Sequence, residues 1–333
     1  MRYLGSRALY KLGHNLSALG PTLFSSHVFR RFPLSSTLQR RIFHNDGYQR
    51  FQHNKTPIYQ NKRFWLVSGA GGFVGYIYYL NHLETVPFSG RRRFIDITPR
   101  QEEAMAIQAY QQIMAQYGRY ILPQNHPYTK LVRRVAQRII NVSGLHDLNW
   151  EVYVIESKEK NAFVLPGGKI FVFTGLFEIT QNEDALAAVL GHECAHQIAR
   201  HNAEKISRLK IIFIFQLLLS FFFDPSFLFN RLFLEFGLLL PFSRNCEVEA
   251  DSIGLTLMAQ ACYDPKEAIK MWERMEKADK SLQVQFISTH PTHKNRIARL
   301  SEQLPQAIIK RENSDCISEI DYLNQFNQQI VYW

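Results

Sequence analysis

Cysteine is scarce and badly spaced for cross-linking. The 333-residue chain holds four, Cys194, Cys246, Cys262 and Cys316, and no Cys-x-x-Cys pair. That excludes a disulfide-framed small domain and predicts four reduced, buried thiols. Internal repeats and low-complexity runs are missing as well, which excludes a solenoid. Acidic residues are almost absent from the start of the chain: residues 1–63 carry 11 of the 39 Lys/Arg but, among the 29 acids, only Asp46. The formal charge of +10 is therefore the charge of a tail, and the body is balanced. No nucleic-acid-binding module accompanies it, so nucleic acid is not an expected partner. No uninterrupted apolar core follows the first charges, which excludes a bacterial or ER signal peptide.

The tail is instead rich in Arg and Ser. Arg2, Arg7 and Lys11 interleave with Leu4, Leu9, Tyr10 and Leu12 as a short basic amphipathic helix. This composition predicts a mitochondrial transit peptide over residues 1–45, cut near Arg30-Arg31 or Arg40-Arg41, and a basic linker over 46–63. Phe64 to Asn81 then runs without a charge, about the minimum for a bilayer span. Trp65 at one end and Tyr76, Tyr78 and Tyr79 at the other suit the two interfaces. Gly71 and Gly75 offer a small-residue packing face. A transmembrane anchor over 64–81 is expected. Lys62-Arg63 and the basic tail favour the matrix for the N-terminus, placing the body of the chain in the intermembrane space, although Arg91-Arg92-Arg93 counts against that orientation.

Thr98-Pro99-Arg100-Gln101 predicts a capped helix running to about Tyr117. A second is expected from Pro127 to Val142, ending at Gly144. Strands are predicted at Trp150–Val154, Ala162–Leu165 and Lys169–Thr174, the last two joined by a turn at Pro166-Gly167-Gly168. Residues 211–242 are apolar but broken at Asp224-Pro225. A membrane-associated helical hairpin and a buried helical pair both fit them. Further helices are expected up to about Cys262, after the cap Asp264, and from His290-Pro291-Thr292. Residues 306–333 read as a polar tail.

The chemistry concentrates in Gly191-His192-Glu193-Cys194-Ala195-His196. Asn182 or Thr180 can cap this helix, and Glu183 and Asp184 suit its N-terminus. His192, Glu193 and His196 fall within an arc of roughly 100°. Two imidazoles one turn apart can hold one Zn2+, and the carboxylate between them can take a proton from a water on it. Cys194 lies on the opposite side and reads as packing. A hydrolytic site needs a third protein ligand. Glu247 and Asp251, one turn apart on a later helix, supply the ligand and a partner to fix an imidazole tautomer. Glu249 points away and is expected in solvent.

These residues carry a resemblance. His192-Glu193-x-x-His196 with Glu247-x-x-x-Asp251 resembles the gluzincin peptidases of the HtpX and CaaX-prenyl-endopeptidase group. The segments 161–176, 182–201, 243–254, 289–297 and 90–94 are similar to the mitochondrial inner-membrane branch whose activity overlaps that of the m-AAA protease. The likeness covers residues 88–305. It implies an α+β, mainly helical zincin-like metallopeptidase domain with a small β-sheet beside the zinc helix, and one zinc per subunit. It implies cleavage of inner-membrane proteins, including dynamin-like GTPases and misfolded polytopic proteins, in quality control and stress response. By carry-over His192, His196 and Glu247 bind zinc and Glu193 is the general base. His290 stabilises the oxyanion or the substrate with Arg296 in support, and His201 and Asp251 stand behind the ligands. Substrate is expected to add as a strand to an edge formed by Lys169, Ile170, Phe171, Val172, Phe173 and Thr174. Membrane lipid is an expected partner, and a homo-oligomer is admissible. The rival reading is a non-enzymatic membrane scaffold or chaperone with a structural zinc.

Overall fold

The computed structural model describes residues 60–219, 240–282, 286, 290 and 295–316. The chain divides into two units, Met1–Gln60 and Asn61–Trp333. The expected transit peptide and most of the expected linker, with residues 220–239 and 317–333, lie outside the described residues.

The second unit begins with α1 (Lys62–Asn81), capped by the Asn61 side chain. None of its 20 residues is buried. Among the described residues no helix is long and apolar enough to cross a membrane, so the anchor expected over 64–81 does not meet that requirement. Its glycines and polar residues dilute an otherwise charge-free run. An antiparallel hairpin follows, β1 (Leu83–Thr85) and β2 (Arg92–Phe94). The sequence reading missed it because strands of three residues are too short to show alternation.

Helix α2 (Pro99–Tyr117) starts as expected. Thr98 Oγ1 accepts from the Gln101 N–H, and Gln101 Oε1 accepts from the Thr98 N–H. Helix α3 (Pro127–Ser143) ends at Gly144, whose φ of 74° is the left-handed conformation that glycine adopts without a Cβ clash. Strands β3 (Glu151–Ile155), β4 (Ala162–Leu165) and β5 (Lys169–Phe173) form one sheet in the order β3-β5-β4, with β3 parallel and β4 antiparallel to β5. One face buries Ile155, Phe171 and Phe173 beneath Tyr110, Ile113 and Tyr117 of α2. The other gives Val154, Ala162, Val164, Ile170 and Val172 to the main core with α3 and the helices below.

A single turn, α4 (Phe177–Thr180), leads to α5 (Glu183–Ile198), capped by Asn182 Oδ1 on the Ala185 N–H at 2.8 Å. Helix α5 runs through the centre of the domain and is buried on nearly every side from Ala185 to Ala195. Helix α6 (His201–Leu219) turns outward, and Phe213, Ile214, Phe215 and Leu218 are more than half exposed. Gln216 on the same helix and Phe242 at the start of the next are buried. Helix α7 (Leu240–Gln260) crosses α5 where Gly191 meets Gly254. A Cβ on Gly254 would lie 2.8 Å from the His192 nitrogen, so the crossing requires glycine there.

Helix α8 (Lys266–Leu282) follows Asp264, whose carboxylate accepts from the Lys266 N–H at 3.0 Å. The last helix among the described residues, α9 (Arg296–Glu312), begins at Arg296 and not at His290, and residues 291–294 lie outside the described residues. It continues past the expected domain end at 305, because Leu300 and Ala307, two turns apart, are both buried in the core. The expectation of four reduced cysteines is also corrected. Cys262 and Cys316 are disulfide-bonded across 54 residues, while Cys194 and Cys246 are free and buried. The pairing joins the end of α7 to the residues after α9, a proximity that spacing along the chain does not reveal.

Candidate metal centre and active site

Three elements converge. Helix α5 contributes His192, Glu193 and His196. Helix α7 contributes Glu247 and Asp251. The segment between α8 and α9 contributes His290. His192 Nε2 lies 3.1 Å from His196 Nε2 and 3.3 Å from Glu247 Oε2, and His196 Nε2 lies 3.4 Å from Glu247 Oε1. His290 Nδ1 stands 3.2 Å from both Glu247 oxygens and 3.4 Å from His192 Nε2. His192, His196, Glu247 and His290 thus form one cluster able to hold a metal ion. Two imidazoles and a carboxylate sharing one focus are a donor set that fits a divalent metal.

The backs of the two neighbouring imidazoles are held separately. His192 Nδ1 lies 2.9 Å from Asp251 Oδ1. Asp251 accepts from Arg296 Nε at 2.6 Å and Nη2 at 2.9 Å, and Arg296 Nη2 also reaches Glu247 Oε2 at 3.1 Å. The Arg296 guanidinium is fully buried, with its carbon 3.7 Å from the centre of the Trp272 ring. Arg296 therefore stands behind Asp251 and Glu247, in a supporting position. His196 Nδ1 lies 2.8 Å from His201 Nδ1, and His201 Nε2 lies 3.0 Å from Glu249 Oε2. Glu249, expected in solvent, is buried and paired with Arg91. A bend between α5 and α6 brings His201 back onto the cluster, and a helical wheel of α7 alone could not show that.

Charge is distributed unevenly. Burial disfavours the His192 imidazolium, but the Asp251 and Glu247 carboxylates outweigh it and raise its pKa to about 9 in the metal-free protein. His196 is driven the other way by burial and by His192. Burial alone would raise Glu247, yet contacts with His192 and His290 hold it far below the usual carboxylate range. Burial lifts Glu193 above that range, opposed by His290, His192 and the Val164 N–H. Among the described residues Glu193 Oε1 has no hydrogen-bond partner, although His290 Nε2 lies 3.4 Å away. Cys194 faces the core, as expected, and burial pushes its thiol up to about 12.

A cavity of about 270 Å³ opens over this cluster, lined among others by Phe163, Leu165, Glu193, His196, Phe242 and His290. The strand beside it is β4. Lys169–Phe173 is the central strand, hydrogen-bonded on both sides, so the expected substrate edge at Lys169–Thr174 is corrected. Thr174 accepts from the Ser157 N–H and donates to the Ser157 carbonyl. The free edge belongs to β4. The Asn161 and Leu165 carbonyls accept from Phe173 and Gly168, so alternation turns the polar backbone of Val164 outward.

Residues 128–304 match the family described as Peptidase family M48. A mitochondrial metalloendopeptidase OMA1 of Schizosaccharomyces pombe is 48% identical, covering 86% of this chain and 84% of the relative. Its namesake in Saccharomyces cerevisiae is 34% identical over 92% and 94%. The human metalloendopeptidase OMA1, mitochondrial, is 31% identical over 79% of this chain and 54% of its own length. The match spans both helices that bring acids and imidazoles to one focus, and it removes the scaffold alternative. The chain belongs to peptidase family M48 and is a metalloprotease.

Proposed function

We propose that the chain is a zinc-dependent endopeptidase of the mitochondrial inner membrane that cleaves misfolded or regulated membrane proteins, dynamin-like GTPases and polytopic proteins among them. The observation that carries the catalytic part is the meeting of His192 Nε2, His196 Nε2 and the Glu247 carboxylate within 3.1–3.4 Å of one another beside the Glu193 carboxylate, which His290 Nε2 faces at 3.4 Å. These three residues hold the zinc. When bound, zinc acidifies a water and polarises the scissile carbonyl. Glu193 takes the water proton and passes it to the leaving amine. His290 Nε2 donates to the carbonyl oxygen as its charge grows. Asp251 and Arg296 fix His192 behind the reaction, and His201 does the same for His196. Substrate lies extended along β4, adding to the outward backbone of Val164, with Phe163 and Leu165 lining the cavity. Recognition of backbone gives loose side-chain preference.

The location is supported by the mitochondrial names of the relatives and by the acid-poor, basic tail. Two helices also present apolar surface to solvent: Trp65, Leu66 and Phe73 on α1, and Phe213 to Leu218 on α6. Surface of that extent on two helices suits a lipid boundary better than water. The domain itself would face the intermembrane space.

The test uses full-length wild type and Glu193→Gln in liposomes with a polytopic membrane protein, with and without a chelator. Wild type cleaves, the chelator stops it, and Glu193→Gln keeps zinc without cleaving. Cleavage by Glu193→Gln, or insensitivity to the chelator, would refute the catalytic reading. Release of the protein from mitochondrial membranes by carbonate would refute the integral placement.

A further inference from the structure

Arg91 belongs to the turn joining β1 to β2, outside the residues matched to the family. Its guanidinium is divided between two buried acids. Nε and Nη2 donate to Glu249 Oε2 at 2.9 and 2.7 Å, and Nη1 and Nη2 donate to Glu204 at 2.8 and 2.6 Å. The Ser89 hydroxyl donates to the other oxygen of Glu249.

The polarity of these contacts can be followed inward. A carboxylate only accepts, so His201 Nε2, 3.0 Å from Glu249, carries a hydrogen. In a neutral ring His201 Nδ1 then offers its lone pair, and His196 Nδ1, 2.8 Å away, supplies the hydrogen for it. His196 Nε2 is left with its lone pair aimed at the focus it shares with His192 and Glu247. The same logic operates behind His192, where Asp251 and Arg296 take the places of Glu249 and Arg91. A carboxylate that an arginine holds in place thus stands behind each imidazole, next to His192 and one histidine further out behind His196.

We propose that Arg91 is a positioning residue for the His196 imidazole, acting through Glu249 and His201, and that the β1–β2 hairpin is thereby part of the catalytic apparatus. The inference rests on the reading of His192, His196 and Glu247 as the zinc site. It makes the geometry of the centre depend on a segment that directly follows α1. Ser89, in the same turn, supports the same carboxylate through its hydroxyl. Arg93 is buried nearby, but it faces Glu84 at 3.7 Å.

The experiment measures zinc release to excess chelator, kcat and KM on a peptide, and thermal unfolding, all on zinc-loaded full-length protein. Arg91→Met keeps the alkyl stem and removes the donors. It should release zinc about 10–100-fold faster and lower kcat, with KM unchanged, and Arg91→Lys should recover part of the loss. Glu249→Ala should behave like Arg91→Met, and the double variant should be no worse than either single one. Asp96→Asn is the control, because it loosens the Asp96–Lys210 pair between the hairpin region and α6 without touching the chain of contacts. It should lower the unfolding temperature and leave zinc release unchanged. If Arg91→Met does not fold, Arg91→Lys and Glu249→Ala carry the test. Zinc release and kcat like wild type in the variants that fold, whatever their unfolding temperature, would overturn the proposal. A wild type that holds no zinc would instead refute the zinc-site reading.

Discussion

The crossing of α5 and α7 offers a sharp perturbation, Gly254→Ala. A Cβ there would lie 2.8 Å from the His192 nitrogen, 2.9 Å from its Cα and 3.0 Å from the Gly191 carbonyl carbon. Ordinary contact needs about 3.5–4.0 Å, so the helices must part by about 0.5–1 Å. All three atoms are backbone, and no side chain can rotate away. Overpacking of this kind costs about 1–3 kcal/mol. The larger effect falls on the site, because His192 comes from one helix and Glu247 from the other. A shift of that size is several times the tolerance of about 0.2 Å on metal–ligand distances. Zinc should therefore bind about 10-fold more weakly or worse, comparable to loss of a ligand's supporting partner. The assay is competition with a chromophoric chelator alongside thermal unfolding, with Ser252→Ala on the same helix as control. Wild-type zinc affinity with an unfolding temperature lowered by less than about 1 °C would refute the packing argument.

The remaining predictions are briefer. Asp251→Asn removes an anion from between His192 and Arg296, so zinc affinity or kcat should fall about 10–100-fold in chelator competition and turnover assays. In metal-free protein the His192 pKa is raised from 6.5 to about 9, so its stabilising contribution is complete below pH 6.5 and disappears as pH rises through 9. Unfolding of chelator-treated protein should show that loss, while zinc affinity should increase over the same window as His192 gives up its proton. Cys316→Ala opens a loop of 54 residues and should cost up to about 4 kcal/mol in denaturant unfolding. Val164→Pro should raise KM and also lower kcat with zinc retained, because it removes the β4 N–H that faces the cavity and the Glu193 carboxylate, and an unchanged KM would exclude strand addition there.

The legible parts of this molecule were those whose signals are local. The Asn182 cap, the His-Glu-x-x-His spacing and the one-turn separation of Glu247 and Asp251 each specify a face of a helix, and α5 and α7 present those faces to one another. The Thr98–Gln101 cap and Gly144 stop likewise act within a few residues. What escaped was set by partners distant in sequence. Central and edge strands look alike along the chain, and only the neighbours on both sides make β5 the central strand. Glu249 points away from Glu247, yet Arg91, 158 residues earlier, and His201 meet it there. The Cys262–Cys316 bond and the Gly191–Gly254 crossing are contacts between elements that no periodicity announces.

The central claim concerns where the metal sits. Anomalous diffraction at the zinc absorption edge, from crystals of full-length Glu193→Gln protein loaded with zinc, tests it directly. The account predicts one strong peak about 2.0–2.2 Å from His192 Nε2, His196 Nε2 and a Glu247 oxygen. A peak that leaves out Glu247, or no peak between α5 and α7, would contradict it.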